Sequence, residues 1–139
     1  MPTELPPFLP FLIGALLTVA TRGRLRTAVM LVTPVVGGVC LLGIDSGALH
    51  QIQLLGYTLT PVRVDELSML FGYLFHVGAF IAILYAVHIK DTLQHVVAMI
   101  YAASALGAVF AGDLISFFLF WELLTVSSVF LVWARRTPQ

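Results

Sequence analysis

Charge is what this sequence has least of. Only 10% of its 139 residues are Asp, Glu, Lys or Arg, against 60% that are hydrophobic, and the mean hydropathy is +1.02. A soluble domain of this length needs roughly a quarter of its residues charged to cover its surface. Such a deficit is tolerable only where most of the surface faces lipid, so the composition predicts an integral membrane protein with almost no soluble part. Cysteine is nearly absent as well. The lone Cys40 excludes an internal disulfide and any multi-cysteine metal or iron–sulfur site, and its apolar setting reads as a small buried residue. An excess of one charge sign is also missing, with seven basic and seven acidic residues. That balance argues against nucleic acid, or anionic lipid, held by an overall basic field. A cleaved secretory signal carries its positive charge before its apolar core. Here Arg22, Arg24 and Arg26 follow the apolar run from Leu5 to Ala20, which predicts a retained first helix. There is no repeat, linker or low-complexity stretch, no phosphate loop, no dinucleotide fingerprint and no nucleophile arrangement.

What is present is a series of long apolar runs. A spanning helix needs about 20 mostly apolar residues rising 1.5 Å each. Five runs qualify, at about 5–20, 28–44, 67–87, 96–111 and 114–133. The first opens on Pro6, Pro7 and Pro10, which suit a first helical turn better than a middle. The first two runs are at the short end for a span. Between the second and third, Ile52, Leu54, Leu59, Val62 and Val64 alternate with polar residues around Gly56. This period-two pattern predicts a short amphipathic hairpin on the membrane surface. Ala103, Gly107, Ala108 and Gly112 make the fourth run rich in small residues, which lets neighbouring helices approach closely. The expected fold is an all-α membrane bundle of five transmembrane helices with a surface hairpin between helices 2 and 3, forming one domain over 1–139.

Lys and Arg collect in cytoplasmic loops, whereas Asp and Glu carry little orientation signal. Five alternating spans put Arg22, Arg24, Arg26, Lys90, Arg135 and Arg136 on one side and only Arg63 on the other. The expected location is therefore the cell (inner) membrane, with the N-terminus outside and the C-terminus cytoplasmic.

Glu122 is the most informative residue. It lies near the middle of the fifth run, about nine residues or 13 Å from Asp113. A carboxylate at that depth costs roughly 2.5–3.5 kcal/mol on insertion scales. Burial can bring its pKa toward neutrality, where a carboxyl takes up and releases protons. No Lys or Arg falls inside any of the five expected spans. Glu122 is therefore either neutral at rest, with an interhelical hydrogen bond as the plainest role, or paired with a cation from another polypeptide. His76 lies midway along the third run with Tyr73 one turn before it. Histidine titrates near neutrality, so this pair is a candidate proton relay; a neutral, hydrogen-bonded core histidine is the competing role. Asp113, with Ser116 three residues on, fits a helix N-cap, and Asp65 and Glu66 suit the start of the third run similarly. His88, Lys90, Asp91 and His95 are expected in a cytoplasmic turn, and the two histidines are too loosely spaced for a metal site. No metal and no cofactor is expected.

Several of these residues together resemble a family. Ala111-Gly112-Asp113-Leu114-Ile115-Ser116, followed by Phe120-Trp121-Glu122-Leu123-Leu124-Thr125-Val126-Ser127-Ser128, is similar to the fifth transmembrane helix of antiporter-like membrane subunits. These occur in respiratory complex I, in Mrp-type sodium/proton antiporters and in membrane-bound hydrogenases. Arg63-Val64-Asp65-Glu66-Leu67-Ser68 resembles the start of the family's third helix, although the family often has Gly where this chain has Glu66. Within the family the D-type component of the Mrp sodium/proton antiporters is most similar, on Trp-Glu-Leu and the trailing Trp133-Ala134-Arg135-Arg136. The resemblance implies proton translocation, with Glu122 as proton carrier or as the acid of an ion pair whose lysine lies on helix seven. Members usually run to about fourteen helices. The resemblance therefore implies that this chain is part of a larger or split subunit, whose other membrane subunits supply a cationic helix opposite Glu122. The expected function is a proton-translocating module of a multi-subunit cation/proton antiporter or related ion-pumping respiratory complex. Such a module has no catalytic chemistry of its own, though it can belong to an NADH:quinone oxidoreductase-like complex. The alternatives are a non-conducting structural subunit and one that helps form a quinone site.

Overall fold

The computed structural model describes residues 5–47 and 49–135. In chain order these form α1 (Leu9–Ala20), α2 (Gly23–Leu42), β1 (Leu49–Leu54), β2 (Tyr57–Arg63), α3 (Glu66–Ala86), α4 (Thr92–Phe110) and α5 (Leu114–Ala134). Helices α2 to α5 have 19 to 21 residues each and are apolar enough to cross a membrane. At 1.5 Å per residue each approaches the roughly 30 Å of a hydrocarbon core.

Three helix starts differ from the hydropathy pattern, each for a local reason. The first apolar run begins at Leu5, but α1 has only 12 residues, about 18 Å. Prolines lack an N–H and disfavour helical geometry in the residue before them. Pro6 and Pro7 delay the helix to Leu9, and Pro10 sits in its first turn, where a missing N–H costs no helical bond. Helix α2 begins five residues before the expected Ala28, so Arg24 and Arg26 lie in its first turns rather than in a loop. Arg26 makes this tolerable by folding back: its Nε and Nη2 donate to the Thr21 carbonyl at 3.0 and 2.8 Å, and its Nη1 donates to the Thr92 hydroxyl. Helix α4 starts at Thr92 rather than 96 because the Asp91 carboxylate accepts the Leu93 N–H at 3.0 Å. His95 is consequently buried in the first turn of α4, not in the turn before it, and its Nε2 lies 2.7 Å from the Ile89 carbonyl.

Strands β1 and β2 pair antiparallel around a two-residue turn. Both turn residues, Leu55 and Gly56, have positive φ (+50° and +84°), the geometry that matches a hairpin's own twist. Leu59, Val62 and Val64 are buried. Thr60 ties the hairpin to the α4–α5 corner, its carbonyl accepting the Gly112 N–H at 2.8 Å and its own N–H donating to the Asp113 carboxylate.

Helix α4 is the hub, touching α1, α3, α5 and β2. The seams between consecutive helices share one device. A glycine on the earlier helix receives a side chain from a later one: Gly14 of α1 takes Thr33, Gly37 of α2 takes His76, Gly72 of α3 takes Phe110, and Gly107 of α4 takes Phe120. A Cβ at any of the four would lie 2.1 to 2.7 Å from the incoming side chain. Helices in lipid gain little from hydrophobic burial against one another, so close packing at small residues is what holds them.

This gives a paired test. Gly107→Ala forces the Phe120 ring out of its seat, and overpacking of this kind costs about 1–3 kcal/mol. Gly78, on α3, has nothing within 4 Å of an added Cβ, so Gly78→Ala gains helix propensity without a clash. The thermal unfolding temperature in detergent is expected to drop for Gly107→Ala and to hold or rise for Gly78→Ala. Equal effects at the two sites would count against the socket packing.

Candidate functional site

The rotation of α5 is set by its seam with α4. Ser116 and Ser127 are buried and Phe120, Leu124 and Leu131 half-buried, a spacing of three and four that marks one helix face. Phe120 anchors that face in Gly107, while the Ser127 hydroxyl closes on the carbonyls of Leu123 and Leu124 at 2.8 and 3.0 Å. Glu122 follows Phe120 by two residues, or about 200° around the helix. It is exposed on the side facing away from the other four helices. Among the described residues the only ion pair is Arg63–Asp65, at 3.2 Å, and the Glu122 carboxylate has no hydrogen-bond partner among them. A mid-helix carboxylate thus stands on the outer face of an outer helix, where contact with hydrocarbon is least favourable.

His76 occupies a different environment. It is buried where α1, α2 and α3 meet, its ring centroid 5.4 Å from that of Phe11. Its Nδ1 lies 2.7 Å from the Gly72 carbonyl. A carbonyl can only accept, so Nδ1 carries the proton and, in the neutral ring, Nε2 is left as an acceptor. That Nε2 is buried against Gly37 with no partner among the described residues. Tyr73 is half-buried one turn away, and both side chains line a cleft between α2 and α3 beside Pro34 and Gly38. The fold brings Tyr73 and His76 together but not His76 and Glu122: α5 packs on α4 and β2 and meets neither α2 nor α3. No group of three His, Cys, Asp or Glu suited to a metal ion occurs among the described residues.

A solved structure shares this arrangement of helices. The chain is similar to a chain of the membrane-bound sulfane sulfur reductase, an archaeal respiratory membrane complex, with a TM-score of 0.83 and 28% sequence identity. The match covers 96% of this chain and 23% of that one, so the chain spans under a quarter of its neighbour's length. No protein-family model matches the chain, and no curated protein sequence does. The protein is a multi-pass membrane protein built like a piece of a respiratory membrane complex.

Asp113 sits at the hinge of the site, as the N-cap of the helix that carries Glu122. Its carboxylate accepts the Ser116 N–H at 2.8 Å and the Ser116 hydroxyl at 2.7 Å, besides the Thr60 N–H. Partial burial pushes its pKa up. The hydrogen bonds from Ser116, Thr60 and Ile115 outweigh this and hold it below the ordinary 3.8. Asp65 caps α3 in the same way, in a capping box with Ser68. The Ser68 N–H, with help from Arg63, likewise lowers its pKa. Sequence reasoning missed Thr60, whose role depends on backbone groups that carry no side-chain signature.

Both carboxylates have depressed folded-state values, so their stabilisation is complete above the unfolded value near 3.8 and fades as pH falls through the lower folded one. Protection of the Thr60 and Gly112 amides in detergent, taken as the intrinsic exchange rate at each pH over the observed one, is expected to fall below about pH 4. Asp113→Asn should lower protection at pH 6 and flatten its pH dependence. Constant wild-type protection between about pH 6 and 3 would remove Asp113 from this role.

Proposed function

We propose that this chain is a proton-translocating membrane module of a multi-subunit cation/proton antiporter or related ion-pumping respiratory complex. Glu122 is its proton carrier, or the acid of an ion pair with a cation outside residues 1–139. The observation that carries this reading is the outward placement of Glu122. A carboxylate held at mid-helix with no partner among the described residues requires either a proton or a neighbour, the two states between which a proton carrier alternates. The likeness to a respiratory membrane complex supports such a neighbour, because the matched chain is much longer than the matched part. Antiporter-like components of the Mrp D type fit both the motif and this partial coverage. His76 and Tyr73 form a polar pair away from α5, from which water or protons can enter the bundle.

In this reading the chain is one transmembrane domain of a larger or split subunit in the cell (inner) membrane. α1 is a fifth span shortened by its prolines, and the hairpin rests on the outer surface. Arg22, Arg24, Arg26, Lys90 and Arg135 then lie at the cytoplasmic end; Arg136 lies outside the described residues. In a Cys40→Ser background, a cysteine at exposed Ser46 should react with impermeant reagents from outside. One at Thr137, which also lies outside the described residues, should react only with reagents that reach the cytoplasm. The opposite labelling would reverse the orientation.

The Glu122 assignment is tested in vesicles of the assembled complex, by cation transport coupled to a pH gradient. Glu122→Gln keeps shape but loses proton binding. If Glu122 faces a cation, the change also strands that charge, at a cost of roughly 3–5 kcal/mol. Glu122→Asp keeps the charge and withdraws it by one methylene. Transport is expected to fall from wild type to Asp to Gln with assembly retained. Wild-type transport by an assembled Gln variant would leave a non-conducting structural subunit as the better reading.

A further inference from the structure

A net charge of zero hides a strong segregation along the bundle, and one cavity lies where the cations gather. Helices α3 and α4 part toward the α3 C-terminus, leaving a slot of about 390 Å³. Its walls are small: Gly78 and Ala82 from α3 face Ala98, Ala102 and Ala105 from α4. The slot is apolar along its length and lies in the half of the bundle that holds the α1–α2 and α3–α4 corners.

Three of the elements that line it place a cation at its end. Met30 lines the slot from α2, and Arg26 stands four residues before it on the same helix face. Leu131 lines it from α5, and Arg135 stands four residues beyond. Ala86 lines it from α3, and the turn that brings Lys90 round is closed by the Ile89 N–H on the Ala86 carbonyl at 2.9 Å. On α4 the residue one turn before the lining His95 is Asp91, whose carboxylate is engaged in capping the helix. His95 itself is turned to the Ile89 carbonyl. Three cations against one carboxylate leave the rim positive, and Arg135 and Lys90 have no acidic partner among the described residues.

We propose that this slot binds an anionic phospholipid, with one acyl chain between α3 and α4 and the phosphate at the rim formed by Arg26, Lys90 and Arg135. The apolar walls suit a hydrocarbon chain, and the volume lies in the range of small-molecule pockets. A helix is about 10–12 Å across with its side chains and would lie over such a slot rather than enter it. A phosphate gives the three cations an anion to hold, and clusters of Lys and Arg at a membrane surface attract anionic lipid. The slot is separate from Glu122 and does not depend on the transport reading.

The test is native mass spectrometry of the full chain, solubilised gently with whatever it assembles with. The protein is titrated with palmitoyl-oleoyl phosphatidylglycerol and with the zwitterionic phosphatidylcholine of the same chains. The phosphatidylglycerol adduct is expected at roughly tenfold lower lipid concentration than the phosphatidylcholine adduct. The double variant Lys90→Gln, Arg135→Gln changes only exposed rim residues. It should bring phosphatidylglycerol close to phosphatidylcholine, a loss of about tenfold. Ala82→Phe, which fills the slot, should weaken both lipids. Equal binding of the two lipids by the wild type, or full selectivity in the double variant, would overturn the proposal. So would cross-linking of Ala82→Cys to another membrane polypeptide, which would show that a helix covers the slot.

Discussion

The fold depends on the fit of one side chain into one glycine at each successive helix seam. Lipid removes the hydrophobic reward that would drive helices together in water, so shape decides how they meet. Thr33, His76, Phe110 and Phe120 each drop onto a glycine of the preceding helix, and each contact fixes a rotation as well as a distance. The last of them matters most for function. With Phe120 seated on Gly107, α5 has one orientation, and Glu122 is carried to the far side. The outward carboxylate is a consequence of packing two residues away.

A second constraint joins the bundle to its hairpin. Gly112 comes so close to β2 that an added Cβ would lie 2.6 Å from the Thr60 side chain. That closeness lets the Gly112 N–H and the Asp113 carboxylate satisfy both main-chain groups of Thr60. Where water is scarce an unpaired backbone group is costly, so the corner and the strand complete one another. The contrast is His76, whose Nε2 faces Gly37 with no partner among the described residues. The hydroxyls of Thr18, Thr33 and Ser104 each find a carbonyl one turn back at 2.7 Å.

Much of this is readable from residues alone, for identifiable reasons. Long apolar runs with few charges locate α2 to α5 because no soluble structure tolerates them. Asp65 and Asp113 mark helix starts because a cap needs only a short acceptor and the next turn. Helix α1 is shorter than its apolar run because hydropathy ignores what Pro6 and Pro7 do to the backbone. The polarity of Arg24, Arg26 and His95 suggests a break, yet all three sit inside helix ends. Arg26 and His95 manage this by folding back onto Thr21, Thr92 and Ile89. The direction of Glu122 is not legible at all. Helix α5 is apolar on every side, so no stripe announces which face packs, and only Ser116, Phe120 and Ser127 reveal it once the seam with α4 is seen.

Photo-cross-linking from the outer face of α5 tests most directly whether Glu122 looks toward a partner. Phe118 lies one turn before Glu122 on that face, and Phe120 lies on the inner one. With benzoyl-phenylalanine at position 118 of the assembled protein, the expected product joins α5 to a membrane helix outside residues 1–139, one that carries a lysine or arginine at the depth of Glu122. Position 120 should yield products within this bundle only. Adducts from position 118 with lipid alone would show that Glu122 faces the bilayer and has no cation to meet.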